Sequence, residues 1–238
     1  MSESLPLTIA DLAALAFFLA VWTLHTLAAE GFLVSRVSLS SAMNIQRVAW
    51  MRTMARRELR MVDTGIMTGL QQGTAFFAST SLVALGGCLA MLRASGETLA
   101  VLTDLPLVAS TSRGLVEIKL LGLACVLAYA FFKFGWSYRL FNYCSILIGA
   151  VPTARDELSV PNELEVAVHR ATRMNILAGR HFNAGMRAIF FSIGYLGWFV
   201  GAAAFVLATL LILAVLVRRQ FFSAARRAAL DEPVDGLP

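Results

Sequence analysis

Long apolar runs alternate with polar, arginine-containing stretches along the chain. A helix needs about 20 apolar residues to cross a bilayer, and four runs are that long: residues 7–29, 66–92, 115–134 and 188–217. The pattern therefore predicts an all-α protein, an integral membrane bundle of about four transmembrane helices that forms a single domain over residues 1–238.

A shorter apolar segment, residues 136–151, follows the third predicted span and stops at Pro152. It contains Arg139 and Asn142 and is too short to cross a bilayer by itself. We interpret it as a continuation of the third helix, or as an interfacial or re-entrant segment. A true fifth span, which would move the C-terminal tail to the other side of the membrane, agrees less well with the distribution of charges.

Two basic stretches lead into the second and fourth predicted spans. In residues 41–65 apolar positions recur every three or four residues and arginines occupy the other faces. Residues 162–187 open with a capping signal, Asn162 followed three residues later by Glu165. Both are predicted to be long amphipathic extensions of the spans. We interpret them as in-plane helices that bind anionic lipid headgroups, or as a vestibule or docking surface.

Composition and charge agree with a membrane protein. The chain is 58% hydrophobic and only 15% charged, too few charges to cover a water-soluble globule of this size. The net charge of +5 follows from arginines in the two connections between spans, so no nucleic-acid partner is expected. The positive-inside rule then places both connections in the cytoplasm and both chain ends outside. The arginines that follow Val217 favour the opposite side for the tail.

The sequence gives little support for an enzyme. It contains no HExxH, GxSxG or glycine-rich phosphate loop. Cys88, Cys125 and Cys144 lack CxxC spacing, and a haem held by His25 and His181 has no second supporting feature. We therefore expect no catalytic residue, no metal site and no cofactor.

Small and polar residues mark particular helices. Because apolar contact gains helices little in lipid, glycines that allow close backbone approach drive their association. We therefore predict helix packing, within the bundle or between protomers, at two sets of glycines: Gly65, Gly69 and Gly73 on the second span, and Gly194, Gly197 and Gly201 on the fourth. Ionisable groups within spans are functional candidates because they are costly there. His25 and Glu117 are of this kind, although a hydrogen-bonded core histidine is the simpler interpretation of His25.

Several stretches spread over nearly the whole chain carry a family resemblance. They are RVAWM (47–51), RELRMVDTG (57–65), FFAST (76–80), FFKFGWSYRLFNY (131–143), LIGAVP (147–152), HFNAGMRAIFF (181–191) and RRQFFS (218–223). Together they resemble a bacterial multi-pass membrane family that is catalogued only as a domain of unknown function. The resemblance implies a helical protein of the bacterial inner membrane, and it supplies neither a catalytic role nor a substrate.

Polar residues in these stretches fall at one predicted depth, the cytoplasmic interface. Their acid, amide, aromatic and guanidinium groups are expected to meet in one polar network, which either fixes helix packing or binds an anion or headgroup. The expected members are Asp63, Trp136, Arg139, Asn142, His181, Asn183 and Arg187.

Two function classes stay open. The small-residue spans and the polar second span favour a homo-oligomeric ion channel or transport-like protein, because one four-span copy is too small to enclose a wide pathway. The alternative is a membrane scaffold or assembly accessory, whose basic helices dock a soluble or membrane protein.

Overall fold

The computed structural model describes residues 7–103, 112–152 and 161–230, and all regular secondary structure in these ranges is helical. The predicted all-α class is confirmed. The helices are α1 (Ile9–Ala29), α2 (Leu39–Ala55), α3 (Met61–Arg93), α4 (Ser95–Thr103), α5 (Arg113–Gly149), α6 (Pro161–Tyr195), α7 (Gly197–Val200), α8 (Ala202–Phe221) and α9 (Ala224–Ala229).

Four helical segments are long and apolar enough to cross a membrane: α1, α3, α5 and the stretch Ala202–Ala229 that contains α8 and α9. Two of these helices are capped at their N-termini by hydroxyl side chains. Thr8 caps α1 by accepting the backbone N–H of Asp11, and Ser112 caps α5 by accepting that of Leu115. The first three agree with the predicted spans, and the fourth differs.

The segment 136–151 lies almost entirely within α5. This helix runs without a break for 37 residues, about 55 Å at 1.5 Å per residue. It is therefore much longer than the roughly 30 Å hydrocarbon layer. Of the alternatives for this segment, continuation of the third helix is the one observed.

The structure replaces the predicted single span over 188–217 with a helical hairpin. α6 ends at Tyr195, the single turn α7 follows, and α8 begins after Gly201 and returns along α6. Small residues allow the return, since a Cβ added at Gly197 would lie 2.8 Å from the Ala204 carbonyl oxygen. The apolar run is continuous in sequence, but it supplies parts of two antiparallel helices.

α6 also runs beside α5 over most of its length. The Ser137 hydroxyl donates to the Ala178 carbonyl at 2.8 Å, and Gly122, near the start of α5, lies against the Tyr195 hydroxyl. The predicted amphipathic segment 162–187 is therefore the first part of a helix that continues up the bundle. α1, α3, α5, α6 and α8 lie side by side as its long helices.

Contacts between distant residues show which helix ends lie together. Trp198 Nε1 donates to Asp11 at 2.7 Å at one end, and Arg226 Nε donates to the Val37 carbonyl at 2.7 Å at the other. We call the second the basic end because it carries Arg36, Arg47, Arg52, Arg56, Arg57, Arg60, Arg139, Arg170, Arg173, Arg180, Arg187, Arg218, Arg219, Arg226 and Arg227.

The hairpin changes the predicted topology. α1 begins at the end opposite the basic end, whereas α9 packs on α2 at the basic end. The expectation that both chain ends lie on the same side therefore does not fit this fold. Because α6 and α8 are separate helices, the described ranges contain five long helices, and α9 lies at the end opposite to the start of α1.

Candidate functional site

A polar cavity lies at the basic end, where α2 crosses the bundle. Its volume is about 330 Å³ and its walls come from α2, α3, α5, α6 and the end of α8. Polar groups and apolar side chains share the lining. The polar members are Ser40, Asn44, Arg47, Thr74, Asn183 and Gln220.

Ser40 holds three helices together at this cavity. Its hydroxyl oxygen accepts from Gln220 Nε2 at 2.7 Å and from Asn183 Nδ2 at 3.2 Å. α2, α6 and α8 therefore meet at one hydroxyl group, which fixes three of the walls relative to one another.

Arg47 is the charged group of the cavity. Its Nη1 donates to the side-chain oxygen of Asn175 and, at 3.5 Å, to the Asn175 carbonyl. Asn175 is fully buried, and its amide nitrogen lies 3.5 Å from the Met67 sulfur and 3.6 Å from the Cys144 sulfur. Burial lowers the pKa of the Arg47 guanidinium. No carboxylate in the described part of the chain pairs with Arg47.

Gly179 makes room for this arginine. A Cβ added at Gly179 would lie 2.9 Å from Arg47 Nη2 and 3.0 Å from Arg47 Cζ. The guanidinium therefore lies directly on the backbone of α6, at a place where a larger residue would displace it.

A second, smaller cavity of about 40 Å³ adjoins the first and shares Ser40, Asn44 and Asn183 with it. Arg187 lines it, and its Nη2 donates to Glu30 Oε1 at 2.9 Å. The Arg187 side chain is 8% exposed and that of Glu30 34%. This ion pair ties α6 to the C-cap of α1.

The predicted packing glycines occupy three different settings. Gly69 and Gly73 line the larger cavity, and a Cβ at either would meet nothing within 4 Å, as at the exposed Gly65. Gly194 and Gly197 contact α8, where the nearest atoms to an added Cβ lie 3.2 Å and 2.8 Å away. Gly201 connects α7 to α8, with open space around it.

The structure distributes the residues of the predicted polar network over separate places. Asp63, fully buried, accepts from Trp50 Nε1 and from Arg57 Nη1, both at 2.7 Å, where α2 turns into α3. Asn142 accepts from Gln71 Nε2 at 2.8 Å between α5 and α3.

The aromatic members form another group on the exposed side of α5. The Trp136 and His181 rings are 6.4 Å apart. The Arg139 guanidinium lies 5.7 Å from the Trp136 ring centre, and its Nε donates to the Tyr143 hydroxyl at 2.6 Å. Only Asn183 and Arg187 of the predicted network reach the two cavities.

The two predicted intramembrane polar residues lie far from each other. His25 is buried against Phe191, and among the described residues neither ring nitrogen has a hydrogen-bond partner. Glu117, near the start of α5, accepts from Ser95 Oγ at 2.7 Å and from Arg113 Nε at 2.9 Å.

Sequence reasoning missed a buried polar cluster at the end opposite the basic end. Asp11 joins Trp198 there, and the buried Lys119 ammonium lies 5.7 Å from the centre of the Trp198 ring. The signal was available in part, because Thr8 and Asp11 have the spacing of a capping box. Nothing in the sequence indicates that Asp11 or Lys119 lies next to Trp198.

Within the described ranges, no three His, Cys, Asp or Glu side chains come together as a metal site would require. Cys88 and Cys144 are buried thiols, and Cys125 is exposed.

A family model described as "Protein of unknown function, DUF599" matches residues 13–225. The chain belongs to this family. The match confirms the resemblance seen in the sequence, and it includes every residue that lines the two cavities. No curated protein and no solved structure matches the chain. The family supplies no activity, so the function is inferred from the geometry.

Arg187 and Arg139 are expected to behave differently when either is replaced by alanine. Arg187→Ala leaves Glu30 without its buried partner, a loss of about 2 kcal/mol for a charged hydrogen bond. Arg139 is exposed, and among the described residues its contacts are with Trp136 and Tyr143 of its own helix, so Arg139→Ala is expected to leave the thermal midpoint unchanged. Thermal unfolding of both variants in detergent measures this, and equal midpoints would contradict the difference in burial.

Proposed function

We propose that the protein is a homo-oligomeric ion channel or transport-like protein of the bacterial inner membrane, with α3 at the contact between copies. The observation that supports this proposal is the outward face of α3. In its most apolar 18-residue window only 11% of residues are buried within the chain, against 44% for the corresponding window of α5.

That outward face is polar for a helix in contact with lipid. Gln72 and Ser79 are exposed, lie two helical turns apart, and have no hydrogen-bond partner among the described residues. In hydrocarbon an amide without a partner costs free energy. A second copy of α3 supplies both partners and covers the exposed Gly65, which permits close backbone approach.

The pathway lies between copies because aromatic side chains fill the interior of one copy. Beyond the polar cavity, Phe77 stacks on Phe134 at 5.6 Å between ring centres, and Phe182 packs edge-on against both. Further from the basic end, Phe18, Tyr195 and Phe205 fill the interior in the same way.

The distribution of charge supports an orientation with the basic end in the cytoplasm. In the described ranges the opposite end carries only three basic residues, Arg93, Arg113 and Lys119. The described C-terminal helix α9 is then cytoplasmic. This agrees with the sequence preference of the arginines after Val217.

The scaffold function is favoured by a separate observation, the exposed arginines on the outer surface of α2 and α6. Arg52, Arg56, Arg170 and Arg173 are exposed and have no partner in the part of the chain that the structure describes. A soluble protein with an acidic surface, or anionic lipid, would complement them. Co-purification of one protein in fixed stoichiometry, lost on charge reversal at these arginines, would support this alternative.

Cysteine cross-linking tests the proposed contact at α3. In a Cys125→Ala background, Gln72→Cys and Ser79→Cys are expected to form disulfide-linked dimers in membranes. Leu207→Cys, on the outward face of α8 and 70% exposed, is the matched control and is expected to stay monomeric.

Ion flux and mass determination complete this test. Gln72→Leu is expected to lower ion flux through reconstituted liposomes severalfold. The Leu207→Ala control is expected to keep the flux of the unmodified protein. Native mass spectrometry of the unmodified protein should show a closed oligomer of several copies. A monomer in lipid, or equal cross-linking at all three positions, would exclude the proposed assembly.

A further inference from the structure

We propose that the larger cavity at the basic end binds a phosphate-type anion, either a phospholipid headgroup or free phosphate, with Arg47 as its main partner. This inference does not depend on the channel proposal. It assigns a ligand to a cavity within a single copy.

Arg47 brings a positive charge to the cavity that no described carboxylate balances. Arg47 is partly buried, and a guanidinium withdrawn from water without a counter-ion is costly, so an anion in the adjoining cavity offsets that cost. Nη1 is occupied by Asn175, whereas Nε and Nη2 donate to no acceptor in the described ranges. Two parallel donors of a guanidinium match two phosphate oxygens in spacing and direction, which is why arginine favours this class of ligand.

Arg47 is held in place before any ligand arrives. Asn175 anchors one nitrogen, and Gly179 lets the guanidinium rest on the backbone of α6. Little side-chain entropy is then lost on binding, since the arginine is already ordered.

Other groups on the cavity wall also favour an anion. Leu39 and Ser40, the first residues of α2, line it, so the positive end of that helix dipole adds to the charge of Arg47. The Asn44 side chain lines both cavities and has no hydrogen-bond partner in the part of the chain described. Arg180, exposed at the adjoining smaller cavity, increases the positive potential further.

Among the described residues, the acidic group that lines the adjoining smaller cavity is already paired with an arginine. Glu30 lines only the smaller cavity, and it accepts from Arg187 at 2.9 Å. None of the described residues that line the larger cavity carries a carboxylate, so its described wall has no negative side chain to repel an anion.

The lining also includes an apolar part. Met43, Leu70, Phe141 and Phe182 share the cavity with the polar groups. An anion with an attached apolar chain fits such a lining, and free phosphate would use only its polar half. The two sources can therefore be separated by experiment.

Gly73 provides a way to block the site without touching its polar groups. Gly73 lies on the α3 wall, and a Cβ there meets nothing within 4 Å. Gly73→Leu is therefore expected to fold normally and to place its side chain in the space that the ligand needs.

The test compares ligand retention by four proteins: unmodified, Arg47→Gln, Gly73→Leu and Arg52→Gln. Arg52 is on the same helix but exposed, so Arg52→Gln makes the same charge change away from the cavity. Native mass spectrometry from vesicles of phosphatidylglycerol and phosphatidylcholine measures retained lipid. A titration of delipidated protein with inorganic phosphate measures the shift of the thermal midpoint.

Retained phosphatidylglycerol is expected to fall about tenfold in Arg47→Gln and Gly73→Leu, as for the loss of one charged hydrogen-bonding group, and to be unchanged in Arg52→Gln. A phosphate-dependent midpoint with no preference between lipids, lost in the same two variants, would assign free phosphate as the source. Gly73→Leu guards against misfolding of Arg47→Gln, because it leaves the Arg47–Asn175 pair intact. If Gly73→Leu behaves as the unmodified protein in both measurements, the proposal is wrong.

Discussion

Replacement of Gly197 with leucine is expected to cause the largest loss of stability of any substitution considered for this protein. A Cβ at Gly197 would lie 2.8 Å from the Ala204 carbonyl oxygen and 2.9 Å from the Ala208 Cβ. The Ala204 oxygen is a backbone atom and the Ala208 Cβ is bonded directly to the backbone, so neither can move aside by a side-chain rotation. Overpacking commonly costs 1–3 kcal/mol, and here we expect about 3 kcal/mol or more because α8 itself must move.

The measurement is thermal unfolding in detergent together with accumulation in the membrane. Gly86→Leu is the matched control, since Gly86 is also helical and a Cβ there meets nothing within 4 Å. That control is expected to be neutral or slightly stabilising, because leucine favours a helix over glycine by up to about 1 kcal/mol. If the two variants unfold at the same temperature, α6 and α8 do not approach as closely as described.

The same hairpin explains which part of the fold could be predicted from sequence. α1, α3 and α5 are each covered by an apolar run, and length alone identifies them. The run over 188–217 contains no proline or charge, so periodicity gives no reason to divide it at Gly201. The C-terminal half of α6 contains Arg180, Asn183 and Arg187, which are typical of a helix outside the membrane.

Asn183 and Arg187 are tolerated because their polar groups bind residues on other helices. Asn183 meets Ser40, and Arg187 meets Glu30. Hydropathy cannot detect this, since it averages over all faces of a helix. The arginines after Val217 favour the same side as the two basic connections, which agrees with the position of α9 at the basic end, but the four-span count placed the tail on the opposite side.

The prediction of a single polar network was wrong for a related reason. Depth in the membrane can be estimated from position along a span, but the direction in which a side chain points depends on how each helix is rotated against its neighbours. Asp63 points to Trp50, and Asn142 points to Gln71. Equal depth therefore did not bring them together.

The sequence did not distinguish Arg47 from the other arginines of its amphipathic segment. What distinguishes it is its partner Asn175, a polar residue in a stripe that is otherwise apolar. The sequence shows that irregularity, but only the structure shows which charge Asn175 receives.

Loss of the Asp63 carboxylate is the second substitution with a large expected effect. Asp63 is fully buried, and one of its oxygens accepts from both Trp50 Nε1 and Arg57 Nη1 at 2.7 Å. Asp63→Ala leaves an indole N–H and a guanidinium without an acceptor at the turn between α2 and α3. Removal of one partner of a buried pair costs about 3–5 kcal/mol, and we expect the lower value because the Arg57 side chain is 37% exposed.

Two further variants separate the charge from the hydrogen bond. Asp63→Asn keeps an oxygen that can accept from Trp50 and removes only the charge, so its thermal midpoint is expected between those of Asp63→Ala and the unmodified protein. Arg57→Gln, at the exposed partner, is expected to cost less than either, because water replaces part of what is lost. Trp50 fluorescence measured during unfolding reports on the same contact. If Asp63→Ala unfolds at the same temperature as the unmodified protein, Asp63 does not anchor α2. The placement of Arg47 on α6 must then depend on Asn175 and Ser40.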